Sequence, residues 1–228
     1  MEKNNNYCDF CNELNNSCRD FFSQHILPYY KKYNLETRII HLNKNFYIMP
    51  SVGPISNCHL LLCPTKHVNS FAQLDNCSLN EGFILLNKIL NFVKSEFGCA
   101  IAFEHGSNTN GVGSSSCDHA HIHILALKIP LKSLLISKGF HLKKVYDIKE
   151  IKSFYNMHMP YFLIITNNGE IYTTEDIVHQ SQFLRILCAN ETGKENGLWQ
   201  DDLGIEQMAD TSLKLINSKK FESLKDPV

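Results

Sequence analysis

The apolar positions of this chain change their period several times, and each change marks an element. Residues 18–33, CRDFFSQHILPYYKKY, put Phe21, Phe22, Ile26 and Tyr29 or Tyr30 at helical spacing, with Pro28 set to kink or end that helix. Residues 38–51, RIIHLNKNFYIMPS, read as extended chain running into a turn near Gly53 and Pro54, and CHLLLCP, residues 58–64, is a short run suited to a buried strand. The clearest helix covers residues 78–98: Ser78 and Glu81 form a capping box, Leu86, Ile89 or Leu90, Val93 and Phe97 make the apolar stripe, and Gly98 supplies the stop. CAIAFEHG, residues 99–106, predicts a further strand, and a polar loop, SNTNGVGSSS, leads from it into CDHAHIHILAL, residues 117–127. Beyond about residue 128 the signal thins to a short helix in KIPLKSLLISKGF, two strands around the Asn-Asn-Gly turn of PYFLIITNNGEIYTT, and a helical SQFLRILCA.

This order predicts an α+β fold: an antiparallel sheet of about five strands with the long helix packed on it over residues 1–128. Residues 129–228 form an extension that either continues the sheet or caps it. A chain of 228 residues, 43% hydrophobic, can bury an ordinary single core. Its formal charge of −1 is spread evenly, so no polybasic face offers general attraction for nucleic acid or a membrane surface, and any nucleotide must be held locally. The first residues, MEKNNNYCDFC, carry no apolar run, and no stretch reaches the roughly 18 apolar residues of a membrane span, which predicts a cytoplasmic protein. Nine cysteines, an odd number scattered along the chain, fit reduced thiols plus a metal site better than a disulfide framework.

The histidines concentrate the chemistry. On a strand His119, His121 and His123 share one face while Ala120, Ile122 and Ile124 face the core, so one side is packing and the other a row of titratable rings about 6.6 Å apart. A single such histidine is ordinarily a half-buried, hydrogen-bonded residue; three in register are not. Two chemistries compete for them: a His-x-His pair chelating a catalytic zinc with an open water position, or a neutral imidazole attacking phosphorus to form a covalent intermediate. Cys8 and Cys11 form C-x-x-C, the other reading of which is two buried reduced thiols or a redox pair; with imidazoles such thiolates make closed structural zinc sites, and if zinc goes there at least one strand histidine is released for covalent work. Phe46, Ile48 and Leu60 read first as core, with a nucleobase wall as the other reading, and Cys117 reads as a small packing residue.

His-Ala-His-Ile-His-Ile-Leu, residues 119–125, resembles the signature of the histidine-triad (HIT) superfamily of nucleotide hydrolases and transferases. CHLLLCPTKHV resembles that superfamily's second segment, and the C-x-x-C with downstream histidines is similar to its zinc-bearing branches. The resemblance covers residues 8 to about 127. It implies that His121 attacks the α-phosphate, that His123 hydrogen-bonds the phosphate oxygens or leaving group, and that Cys8, Cys11, His59 and His119 hold a structural Zn2+. It matches Ser116 to a serine that contacts the leaving group in some members, and His123, where some transferases carry glutamine, favours hydrolysis. Loop amides from Gly111 through Gly113, with the hydroxyls of Ser114, Ser115 and Ser116, could cradle phosphate oxygens as a nest, the other reading being a plain connector. Because this loop is longer than in small members, Asn108 or Asn110 stands as a substitute for their phosphate-side asparagine, and His105 is an unassigned candidate.

The implied activity is hydrolysis of a nucleotide conjugate, either a dinucleoside polyphosphate or a nucleoside phosphoramidate, through a nucleotidyl-histidine. A nucleotidyltransferase or phosphorylase, a zinc hydrolase and a non-catalytic nucleotide-binding module are the other readings. The implied partner is a nucleotide, and small members pair as symmetric homodimers, which the longer tail could replace by closing the sheet edge.

Overall fold

The computed structural model describes residues 8–15, 21–107, 119–178, 180, 182–194 and 197–222. Its strands are β1 (His41–Leu42), β2 (Phe46–Pro50), β3 (His59–Pro64), β4 (Ile101–Gly106), β5 (Ile122–Leu125), β6 (Lys143–Val145), β7 (Tyr161–Ile165) and β8 (Ile171–Thr174). Its helices are α1 (Asp9–Leu14), α2 (Leu27–Tyr30), α3 (Asn76–Phe97), α4 (Leu131–Ser137), α5 (Lys152–Asn156), α6 (Phe183–Asn190), α7 (Ile205–Ile216) and α8 (Lys219–Glu222). All eight strands join one antiparallel sheet in the order β1-β2-β3-β5-β4-β7-β8-β6.

The first five strands are the expected sheet, and β7, β8 and β6 carry it to eight. The added strands have a physical cause. Tyr161–Ile165 is apolar throughout and lies along β4, pairing Ala102 with Ile165 through Gly106 with Tyr161, which removes an apolar open edge. The extension therefore continues the sheet through β6 to β8; it adds α6 on the side away from α3, while α7 packs Met208 and Ala209 on Phe22, Ile26 and Tyr30 and joins Leu215 to the α3 cluster.

Helix α3 buries its stripe on one face, against Phe46, Ile48, Leu60, Leu62, Ala102, Ile122 and Ile124. Phe46, Ile48 and Leu60 are thus core under α3, and the nucleobase-wall reading is corrected. The helix starts earlier than the capping box of Ser78 and Glu81 implies. The Asp75 carboxylate accepts from the amides of Cys77 and Ser78 at 2.9 and 3.0 Å, a charged cap placed one turn before Ser78 could act, and Glu81 instead takes the Asn45 amide at 2.5 Å. The helical segment does not end at Pro28: a wide turn over Phe22–Ile26 runs directly into α2, and Pro28 falls in the first turn of α2 just after that widened turn.

The opposite face carries two apolar clusters. One gathers Tyr47, Met49, Leu61 and Cys63 under Phe10 and Leu14 of α1; the other gathers Ile101, Phe103, Leu125, Phe162 and Ile164 under α4 and α6. Strand β5 runs between them and brings its histidines to that divide. No helix among the described residues is long and apolar enough to cross a membrane.

Gly106 closes β4 against the ring of Tyr161, where an added Cβ would stand 2.3 Å from the ring. Gly106→Ala is expected to lower stability by about 1–3 kcal/mol through overpacking, read as a lower urea midpoint at unchanged m-value.

Candidate active site and metal centre

Strand β5 pairs with β3 on one side and β4 on the other, so Leu61 and Phe103 both stand opposite His123. The residues just before the strand keep its alternation: Ala120, Ile122 and Ile124 are buried under α3, while the His121 and His123 rings meet edge to face at 4.8 Å on the other side. Phe10 of α1 packs on both His119 and His121, with ring centroids 5.7 and 5.3 Å away. The three imidazoles therefore share a face, as the sequence predicts.

His119 turns to the thiols. Its Nδ1 lies 3.6 Å from Cys8 Sγ and 3.4 Å from Cys11 Sγ, and His67 Nδ1 lies 3.4 Å from Cys11 Sγ. The ligand atoms of Cys8, Cys11, His67 and His119 all fall within 4.8 Å of one another. A tetrahedral ion bonded at about 2.0–2.3 Å spaces its ligand atoms about 3.3–3.8 Å apart, so these four residues could hold a metal ion with little movement. The donor set fits on two further counts. Cys8 caps α1 and takes the Cys11 amide at 3.4 Å, which sets the C-x-x-C turn, and His119 Nε2–H donates to the Pro64 carbonyl at 2.8 Å, which leaves Nδ1 as the lone-pair nitrogen. The Cys8 thiol beside Cys11, together with burial, pushes the Cys11 thiol far above its usual range, so a cation is what would let both sulfurs ionise.

His59, expected as the fourth ligand, is not in this cluster; His67 takes that place. His59 is 1% exposed on β3, its Nδ1 receives the Ile55 amide at 3.4 Å, and its Nε2 meets His123 Nδ1 at 2.8 Å. These two bonds fix protons. An amide N–H on Nδ1 makes that nitrogen the acceptor, so His59 carries its proton on Nε2 and gives it to His123 Nδ1; His123 then carries its own proton on Nε2. Burial, first of all, holds both rings well below the usual imidazole range, and both are neutral. His121 is held in the opposite tautomer: its Nδ1–H donates to the His119 carbonyl at 2.7 Å, leaving an Nε2 lone pair with no partner among the described residues. Burial brings its pKa down to about 4.

A cavity opens beside these rings. His105, His121 and His123 form its floor, Phe10, Phe21, Phe22 and Trp199 its aromatic walls, and Arg38, Gln182 and Arg185 reach its border. Arg38 forms a buried ion pair with Glu13 of α1 at 2.7 Å and donates to the Pro50 carbonyl at 2.9 Å, which sets the wall carrying Phe10. Sequence reasoning missed Arg38, Glu13 and Trp199, which approach only through the fold, and read the SQFLR segment that carries Gln182 and Arg185 as helical without giving either a place in the site. His67 was within reach, since it ends the quoted CPTKHV segment. Asn108, Asn110, Gly113, Ser114, Ser115 and Ser116 lie outside the described residues.

Two outcomes are expected. His67→Ala loses stoichiometric metal while His59→Ala keeps it, measured by elemental analysis of the purified variants. Four histidines, 59, 105, 121 and 123, have folded pKa values below the ordinary value, so the unfolded chain binds more protons at mildly acid pH. Stability is then fully present above about pH 6.5 and falls as pH drops toward about 4, with each histidine adding a slope of up to about 1.4 kcal/mol per pH unit. Urea melts across that window read it; a flat profile would remove the buried neutral set.

Residues 32–129 match the family model described as "HIT domain". Two uncharacterized HIT-like proteins, from Chlamydia trachomatis and Chlamydia muridarum, are each 28% identical over 86 residues, which is 36% of this chain and 74% and 65% of theirs. Among solved structures, a hypothetical histidine triad nucleotide-binding protein from Sulfolobus tokodaii is 19% identical, with 52% of this chain and 67% of that one covered and a TM-score of 0.38. A HIT family hydrolase from Clostridium thermocellum is 18% identical, covering 52% and 89%, at 0.34. The yeast Ap4A phosphorylase in complex with AMP is 14% identical, covering 61% of this chain and 58% of that enzyme, at 0.38. Residues 32–129 thus match a HIT domain, and His119, His121 and His123 lie in register inside that matched segment.

Proposed function

We propose that the protein is a nucleotidyl hydrolase that cleaves a nucleotide conjugate at its α-phosphate through a covalent nucleotidyl-His121. The observation that carries this reading is the 2.7 Å bond from His121 Nδ1–H to the His119 carbonyl. It fixes the tautomer whose Nε2 lone pair borders the cavity, and burial keeps that nitrogen unprotonated. His123, with its proton on Nε2, supplies a hydrogen bond to the phosphate under attack. Dinucleoside polyphosphates and nucleoside phosphoramidates are the two substrate classes of this chemistry. In the first step His121 Nε2 bonds to phosphorus as the leaving group departs with the electron pair of the broken bond; in the second, water displaces the imidazole.

Cys8, Cys11, His67 and His119 would hold a structural zinc, whose closed four-ligand shell fixes α1 and the start of β5. Ser116, with Gly113, Ser114 and Ser115, and Asn108 or Asn110 would close the phosphate side of the site. The triad is the same physical row for hydrolysis and for transfer; His123 in the third position supports water as the acceptor.

Acid-sensitive label from an α-phosphate-labelled nucleotide conjugate is expected on His121 in quenched reactions, and His121→Ala should lose at least about 10³-fold in kcat while keeping its metal. Retained turnover in that variant would falsify the covalent route. Because the nucleophile is the unprotonated ring, and its pKa is lowered to about 4, kcat/KM should have no acid limb above about pH 5 from this group and should fall as pH drops through about 4. A limb centred near pH 6.5 would show His121 to be solvated.

A further inference from the structure

The C-terminal extension brings a charge to the cavity that the triad does not use. Arg185 of α6 is 4% exposed; its Nε donates to the Gly197 carbonyl at 2.7 Å, Nη1 to Ser51 Oγ at 3.2 Å and Nη2 to the Gly53 carbonyl. All three acceptors are uncharged, and none of the ion pairs among the described residues includes it. A guanidinium has five N–H groups, so one on each terminal nitrogen is left over. Burial without an anion draws its pKa down to about 10, which is the mark of a cation held ready for a counter-charge.

Two further atoms on the same cavity are unsatisfied. His105 Nε2 on β4 and Gln182 Oε1 are buried without a hydrogen-bond partner among the described residues, and both residues border the cavity with His121 and His123. Gln182 sits in the left-handed region at φ 60°, a conformation a non-glycine residue adopts when the surrounding structure imposes it. The His105 ring is held edge-on to Phe162 at 4.7 Å. Buried polar groups are ordinarily paired, so a guanidinium with spare N–H groups and an imidazole nitrogen on residues bordering one space suit a ligand with oxygens of its own, while Gln182 Oε1, an acceptor, would take an N–H or hydroxyl.

The leaving group follows from His123. Its single proton is on Nε2 because Nδ1 accepts from His59. Giving that proton up would leave an anionic ring, so His123 donates a hydrogen bond without transferring a proton. An amine expelled from phosphorus needs a proton; a phosphate does not.

We propose that Arg185 and His105 bind the phosphate of the leaving group, so that the site selects substrates cleaved between two phosphates over those cleaved between phosphate and amine. This rests on the nucleotidyl-His121 reading. His121 Nε2 bonds to the α-phosphorus, the bond from phosphorus to the bridging oxygen breaks, and the oxygen leaves with the electron pair as a phosphate anion facing Arg185. Water then attacks the α-phosphorus, the P–N bond returns its pair to Nε2, and a nucleoside monophosphate and a proton are released.

The test measures kcat/KM for diadenosine tetraphosphate and for adenosine 5′-phosphoramidate with wild type, Arg185→Met, Arg185→Lys and His105→Ala, each checked for folding by circular dichroism. Arg185→Met and His105→Ala should each lose on the order of 10²-fold on the polyphosphate and less than about threefold on the phosphoramidate, with Arg185→Lys between. Equal losses on both substrates overturn the proposal. Should Arg185→Met fail to fold, because it also ties Gly53 to Gly197, His105→Ala and Arg185→Lys carry the comparison. Binding of inorganic pyrophosphate, read by calorimetry, separates this proposal from the reaction itself. Wild-type binding weakened in the variants supports the anion site even if neither substrate turns over, and absence of binding overturns it.

Discussion

The two-residue period of β5 is the constraint on which the site depends. Ile122 and Ile124 are fully buried beneath α3, and the strand is hydrogen-bonded on both edges, by β3 and by β4. A slip of one residue would drive the imidazoles into the apolar layer and bring the isoleucines out to the cavity, at the full cost of burying unpaired polar rings. The packing under α3 therefore holds the histidines in place on the far side, although it never touches their chemistry.

Once on that face, each ring has one nitrogen committed to a neighbour. His119 gives Nε2–H to Pro64, His121 gives Nδ1–H to His119, and His123 receives from His59, which receives from the Ile55 amide. These partners decide which nitrogen of each ring is left over and whether it carries the proton: Nδ1 without it in His119, Nε2 without it in His121 and Nε2 with it in His123. Burial adds the second condition by keeping the rings neutral, so that one can be a lone pair and another a donor at the same pH. A nearly neutral chain has no long-range field to offer an anion, and donors placed at short range on a dry surface are its substitute.

What the sequence made legible was local. The alternation of residues 119–125, the stripe of α3 and the C-x-x-C turn are each set by neighbours within a turn or a strand, and each reads directly. The choice between His59 and His67 is tertiary, yet it had a signal. Strand β3 opposes β5 with His59 across from Leu125 and Leu62 across from Ile122. Continued past the strand end, that register puts residue 65 opposite residue 119, so His67 arrives beside His119 while His59 stands six residues away along the strand. The cap on α3 was misread for a simpler reason: Asp75 and Ser78 are both good caps, and the carboxylate nearer the chain entry took the first amides. The buried Glu13–Arg38 pair and the approach of Arg185 and Trp199 had no local pattern to show them.

The extension matters to the triad through a loop. Residues 51–56, between β2 and β3, are hydrogen-bonded to the last third of the chain: Arg185 on the Gly53 carbonyl, Leu203 accepting the Gly53 amide at 2.8 Å, Lys194 on the Pro54 carbonyl at 2.7 Å and Gln207 on the Ser56 carbonyl at 2.6 Å. Gly53 permits this closeness: its φ is 57°, and a Cβ there would lie 2.7 Å from backbone atoms of Trp199 and Asp202. The same loop presents the Ile55 amide to His59 and so places the proton on His123. The extension that closes the open edge of β4 thereby also sets the protonation pattern of the triad. The cavity is completed by residues from both sides of position 128, and the physical unit of the site is the eight-stranded sheet with its clasped loop, rather than the five strands that carry the histidines.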